Sequence, residues 1–345
     1  MQRNRTAAYL RLHARRRNGS ALKGLYMHMD RRQFAGMLTA ALALPALPAS
    51  ALTVRGVELG LQTYTFHQLH EGGLAAVDTM IAATKKLNVD LIELWAPQAE
   101  PFPLAAGYWG RWVPGADPKA TLPRSTPEEA RARREAVRTW RQQSQDKYFA
   151  TVAAKFRSAG IRVFAYNYSF EPGMTDAEID HGFLATKAMG LDLITASSKV
   201  SVAQRVVPFA KKHNMKVAFH GHSATDPDEI SGPDSFAKVM AMSPLYRINL
   251  DVAHFSAGGH DSVAWLKEHH GIVTNIHVHD RKGNDGVSVP YGEGVAPTKQ
   301  VLTMIRDNKW KIPAFYELEY VGANGRDVIA ETTRELAYEQ KILES

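Results

Sequence analysis

The chain has no cysteine among its 345 residues. Disulfides and thiolate metal sites are excluded, so any bound metal must be held by nitrogen and oxygen donors. Long apolar runs are missing too, and the stretch Ala35 to Leu47 is too short to span a bilayer. Charge of one sign is scarce where it would matter. The formal net charge is +7, yet nine of the 42 Lys/Arg and one of the 35 Asp/Glu lie in residues 1–51. The remainder holds 33 basic and 34 acidic residues, which gives no electrostatic reason to expect a nucleic-acid partner. No G-x-G-x-x-G follows the first strand-like segment, which argues against a dinucleotide-binding open sheet.

The basic N-terminal segment has its own pattern. Met29-Asp30-Arg31-Arg32-Gln33-Phe34 precedes the mild apolar run, and Ala49-Ser50-Ala51 follows as an A-x-A cleavage signal. Residues 1–51 therefore read as a leader with a twin-arginine export signal. The mature protein is expected in the periplasm or otherwise exported, with no stable membrane insertion after cleavage. Met29 is the expected start, with residues 1–28 an upstream over-extension. This export route carries folded proteins, often with their metal inserted.

Beyond the leader, residues 52–345 alternate strand-like and helix-like patterns. Strands are expected at 59–66, 90–95, 162–168, 191–196, 216–220, 247–252, 273–278 and 314–319. Helices are expected at about 74–87, after Thr175, and at 202–213, 233–242, 262–269 and 298–308. Gly160, Gly190 and Asn214 stand just before strands, where helix C-caps belong. Eight strands in alternation with helices predict an α/β fold, a single (β/α)8 TIM barrel. One stretch, about 98–144, is far longer than a βα connection needs. It opens with a loop containing Tyr108, Trp109 and Trp112 and continues into a charged helix over about 127–156. A long βα loop lies on the active face of a barrel, so its aromatics suit either a platform for sugar rings or a contact in a homo-oligomer.

The chemistry-bearing residues close four of these strands. They are Phe219-His220-Gly221-His222, Asp251-Val252-Ala253-His254, His277-Val278-His279-Asp280 and Glu317-Leu318-Glu319. A single histidine at a strand end is commonly packed core. Two His-x-His pairs at strand ends, with Asp251 and two alternating Glu, instead point to a divalent metal at the barrel mouth. Two carboxylates on one interior face would repel each other without a cation. Arg281 follows His-x-x-Asp and either binds an anionic substrate group or is pinned by Asp280 or a neighbouring acid. Glu293, in Gly292-Glu293-Gly294, is a weaker candidate for contact with substrate.

The segments VAFHGHS, INLDVAHFSAGG, NIHVHDRKG, VPYGEGVAP and YELEY, with GLQTYTF and DLIELW on the first two strands, resemble the xylose isomerase-like TIM-barrel family of sugar phosphate isomerases and epimerases. The resemblance covers about residues 57–340. It implies one divalent ion, Mn first, with Mg, Zn, Co or Fe as alternatives, held by His220, Asp251, His277 and Glu319. It places His254 against substrate near the metal and Glu93 facing the pocket. Substrate contacts are expected from His222, His254, Arg281, Trp95 and Glu293. The chain departs from the ketose epimerases at His220, where they carry a catalytic Glu. The general base must then come from Glu317, His279, Glu93 or His254. The expected activity is isomerisation or epimerisation of a non-phosphorylated sugar or keto-sugar through an enediolate. A lyase acting on 3-keto-glycosides is the nearest alternative, and a non-catalytic sugar-binding barrel the alternative of another class. An endonuclease-IV-type repair enzyme would need more His on the early strands and a basic face, and the sequence has neither.

Overall fold

The computed structural model describes residues 53–67, 72–102, 126–143, 145–320 and 328–345. The leader with its twin-arginine motif, and Tyr108, Trp109 and Trp112, lie outside the described residues. Eight parallel strands form the centre: β1 (Val57–Gln62), β2 (Leu91–Trp95), β3 (Arg162–Asn167), β4 (Leu193–Ser197), β5 (Lys216–His220), β6 (Tyr246–Asp251), β7 (Val273–Val278) and β8 (Ala314–Tyr316). Each pairs with its sequence neighbours. β8 pairs with both β7 and β1, which closes the sheet into a barrel. This is the expected (β/α)8 architecture.

Helices cover the outside: α1 (Gly73–Lys86), α2 (Pro127–Arg141), α3 (Asp146–Ser158), α4 (Asp176–Ala188), α5 (Val200–His213), α6 (Pro233–Met242), α7 (Ser262–His269), α8 (Thr298–Asp307) and α9 (Val328–Glu344). Local chemistry sets their ends. Thr126 with Glu129 and Thr175 with Glu178 form capping boxes at the starts of α2 and α4. Gly160, Gly190 and Asn214 have φ of +76°, +79° and +49° at the predicted C-caps. Among the described residues, no helix is long and apolar enough to cross a membrane.

Three boundaries differ from expectation by more than two residues. The first strand stops at Gln62, and Thr63–Phe66 is a 3-10 turn whose Tyr64 N–H is capped by the Gln62 side chain. The last strand stops at Tyr316 because Leu318 N–H turns to Thr65 Oγ1 at 3.0 Å. The charged helix of the insertion is two helices, separated between Arg141 and Asp146.

The interior is layered by the period of two along each strand. Leu59, Leu61, Ile248, Leu250, Ile276 and Val278 belong to the apolar core. Gly60 makes room inside the barrel, since a Cβ there would lie 2.6 Å from the Phe315 ring. Above it sits a polar layer of Gln62, Glu93, Asn167, Thr195, Asn249 and Asn275, all buried. The potential metal ligands lie at the strand ends beyond it.

Candidate metal centre

Three strands and one loop deliver the donors. In the parallel register Asp251 is paired with His277 and His220 with Asn249, so the ends of β5, β6 and β7 lie side by side. Glu317 follows β8 directly, its N–H 3.3 Å from Val278 O. The donor atoms of His220, Asp251, His277 and Glu317 all fall within 4.8 Å of one another, and all four residues are buried. Two overlapping groups, Asp251 with His254 and His279, and His279 with Glu317 and Glu319, meet the same limit.

The donors fit a cation. His277 Nδ1 lies 2.9 Å from Glu317 Oε2, yet neither atom makes an aligned hydrogen bond. His220 Nδ1 is buried and equally without a partner. Buried polar atoms are otherwise almost always satisfied. Two ligands on one ion, at bonds of about 2.1 Å and near right angles, stand about 3 Å apart without bonding each other. Two imidazoles with two carboxylates suit a divalent transition metal.

The charges are arranged accordingly. Burial alone would push the Asp251 carboxyl up. The charge of His279, and hydrogen bonds from His220 and His279, outweigh that and hold it well below the usual carboxylate range. Burial pushes His254 down to about 4, so it is neutral. Its Nδ1 accepts the Ser223 N–H at 3.1 Å, which leaves Nε2 as the protonated nitrogen, 3.6 Å from Glu319 Oε1.

Several predicted residues take other places. Glu319 stands outside the four-donor group. Arg281 and Ser288 each donate to its Oε2 at 2.8 Å. Arg281 is thus pinned by Glu319, while the Asp280 carboxylate accepts the backbone N–H groups of Arg281, Gly292, Gly294 and Ala296. Glu93 does not face the pocket: it is 0% exposed inside the barrel. His279 is 1% exposed, with Nε2 2.9 Å from Asp251 Oδ2, which leaves it no access as a base. Glu293 is exposed and does not line the cavity. His222 and Trp95 do line it.

That cavity measures about 390 Å³ and opens over His220, His277 and Glu317. Tyr64, Trp95, Tyr168 and Phe170 also line it. The two cations lining it, among the described residues, are both neutralised. Arg141 makes a forked pair with Glu100 at 2.8 and 3.0 Å, and Lys199 binds Asp226 at 2.7 Å and Glu229 at 2.6 Å. Sequence reasoning missed Arg141, Lys199 and Glu229, which carry no motif. It also missed Gln62, Asn249 and Asn275, although polar residues at inward positions of apolar strands were a readable signal.

The chain resembles several solved structures. One is a sugar phosphate isomerase/epimerase from Parabacteroides distasonis ATCC 8503, at 16% identity, 83% coverage of this chain, 96% of that chain and TM-score 0.51. The IolI protein, solved with a bound zinc, gives 14%, 83%, 98% and 0.54. A probable 3-DHS dehydratase from Bacillus anthracis gives 16%, 83%, 98% and 0.51. The chain shares the fold of these three structures. No protein-family model matches the chain, and no curated protein does.

Proposed function

We propose that the protein is a divalent-metal-dependent sugar isomerase or epimerase that acts on a non-phosphorylated sugar or keto-sugar through an enediolate. One observation carries the reading: four buried donors, His220, Asp251, His277 and Glu317, converge at the floor of an open cavity with ring nitrogens left unpaired. A divalent ion held there would supply Lewis-acid polarisation of adjacent carbonyl and hydroxyl oxygens, which acidifies the C–H between them. Manganese is the first choice of ion, and a resemblance to a zinc-bound barrel keeps zinc beside it.

The chain's own groups would move the proton. Two titratable side chains line the cavity next to the donor group without belonging to it: His222 and Glu319. Glu229 Oε1 lies 3.2 Å from His222 Nδ1 and Ser197 Oγ 3.5 Å from its Nε2, so Nε2, with the longer contact, would be the atom to take or give a proton. Glu319 has Oε2 fixed by Arg281 and Ser288, and its Oε1, 3.6 Å from His254 Nε2, would serve the second transfer. Among the described residues, the neutralised Arg141 and Lys199 leave no free Lys or Arg lining the cavity for a phosphate, which supports a neutral substrate. The aromatic residues lining the cavity support a sugar ring. The leader supports export, away from sugar phosphates.

A second reading has a specific observation behind it. Resemblance to a probable dehydratase favours elimination, and loss of a β-leaving group after the same proton abstraction would make a lyase on 3-keto-glycosides. The test is metal analysis of the purified protein, then a panel of sugars and 3-keto-glycosides incubated in D2O with Mn. Bound metal and solvent deuterium at a sugar carbon are expected. Turnover with no deuterium in any product sinks the enediolate. Protein that binds sugar, but carries no metal and is indifferent to chelator, is a binding barrel instead.

A further inference from the structure

Beneath the four-donor group lies a charged side chain that the proposed chemistry leaves unused. Glu93, on β2, is 0% exposed. Its Oε1 accepts from Thr195 Oγ1 at 2.6 Å, Gln62 Nε2 at 2.9 Å and Asn167 Nδ2 at 3.0 Å. Its Oε2 accepts from His277 Nε2 at 2.8 Å and Asn275 Nδ2 at 3.0 Å. The amide of Asn249 also lies within 3.5 Å. Five other strands thus contribute groups to one carboxylate. Such a number of donors is what allows an ionised carboxylate to stay in the interior.

The geometry does more than satisfy a buried charge. Of these donors only His277 is also a potential metal ligand. Its ring lies between two carboxylates: Nε2 faces Glu93 at 2.8 Å and Nδ1 faces Glu317 at 2.9 Å. An imidazole that binds a metal keeps at most one N–H, on the other nitrogen. A carboxylate acceptor at Nε2 assigns the proton there and turns the Nδ1 lone pair towards Asp251 and Glu317. Asn249 Nδ2 lies 3.0 Å from the same Nε2 and 3.5 Å from Glu93 Oε1, so the shorter contact to the Glu93 carboxylate, at 2.8 Å, is the one that assigns the proton.

We propose that Glu93 is a positioning residue for the metal centre: it holds His277 in the Nε2–H tautomer and makes Nδ1 a stronger ligand. The inference rests on the metal reading given above. Partners that orient a ligating histidine are worth about 10–100-fold in metal affinity. A merely structural Glu93 would change stability and leave affinity alone.

The experiment uses the full chain labelled with 15N-histidine, freed of metal and titrated with Zn. In the zinc-loaded wild type, His277 is expected to carry its proton on Nε2 and to shift at Nδ1. Glu93→Gln, nearly the same shape without the charge, is expected to bind Zn at least ~10-fold more weakly. Zinc on His277 Nε2 overturns the inference while leaving a metal site. So does a folded E93Q with wild-type affinity. If E93Q fails to fold, the wild-type resonances decide alone. No zinc-dependent shift at any histidine refutes the metal reading, and this inference with it.

Discussion

Glu317 and Glu319 separate two ligand assignments, and replacing each with glutamine tells them apart. The donor group holds Glu317, whereas Glu319 is tied to Arg281 and Ser288. Loss of a group that merely orients a ligand costs about 10–100-fold in metal affinity. Loss of an anionic ligand should reach at least the upper end, about 2.7 kcal/mol. In calorimetry of chelator-treated protein, an ion at 100 times its wild-type Kd stabilises the fold by about 2.7 kcal/mol. At roughly 2–4 °C per kcal/mol, the wild-type Tm should rise by about 5–10 °C. For Glu317→Gln the same concentration is at most about one Kd, worth about 0.4 kcal/mol, so the rise shrinks to about 1 °C. Glu319→Gln should keep most of the metal-dependent rise. Its metal-free Tm should fall instead, because the Arg281 guanidinium, only 15% exposed, loses its best partner at a cost of about 1–3 kcal/mol. The opposite pattern, with the metal effect lost in E319Q and kept in E317Q, would place the ion on Glu319 and refute the grouping.

Two further expectations concern the scaffold. Burial among Trp140, Phe149 and Tyr168 pushes His181 down to about 4, below its unfolded value of about 6.5. The unfolded chain then takes up a proton that the folded one refuses. That contribution, about 3 kcal/mol, is present above pH 6.5 and is lost as pH falls towards 4. Unfolding free energies of wild type and His181→Gln, measured from pH 4 to 7, should therefore converge or cross towards acid, and a pH-independent difference would refute the assignment. Gly294→Ala should destabilise by about 1–3 kcal/mol, because its Cβ would meet the Asp280 carboxylate and the Arg281 carbonyl. An unchanged Tm would show that the loop around Asp280 yields at no cost.

Most of the barrel was legible because its strands are short apolar runs bounded by recognisable caps. The predicted helices at 233–242 and 262–269 coincide with α6 and α7. Boundaries failed where tertiary contacts overrode local pattern. Gln142 to Gln145 contains no Gly or Pro, so helical periodicity continued through a break. There Gln145 donates to Trp140 O, and Tyr148, one turn into α3, donates to Ala99 O. The last strand ended early because the Thr65 hydroxyl, far away in sequence, captured Leu318 N–H. The site divided in the same way. Alternation placed both Glu317 and Glu319 on one face, but no periodicity could show that Arg281 would take one of them. Glu93 was recognisable as an inward carboxylate on the second strand. Its depth, and hence its distance from substrate, depends on the barrel's register rather than on its neighbours in sequence.

The departure at His220 becomes understandable when the charges inside the mouth are considered together. Four carboxylates, those of Glu93, Asp251, Glu317 and Glu319, are nearly or fully enclosed there. Arg281 neutralises Glu319 at 2.8 Å. A divalent ion among the donors would neutralise Asp251 and Glu317. What remains is the charge of Glu93, spread over hydrogen bonds from five strands, which is how an interior carboxylate is tolerated. A glutamate at position 220 would add a fifth negative charge beside Asp251. Histidine supplies a ligand nitrogen without that charge, its Nε2 3.2 Å from Asp251 Oδ2. Histidine at position 220 therefore fits a centre whose remaining interior negative charge sits one layer down, at Glu93 behind His277. On the proposed function, acid–base work would then fall to groups outside the donor set, at the cavity wall, where His222 and Glu319 stand.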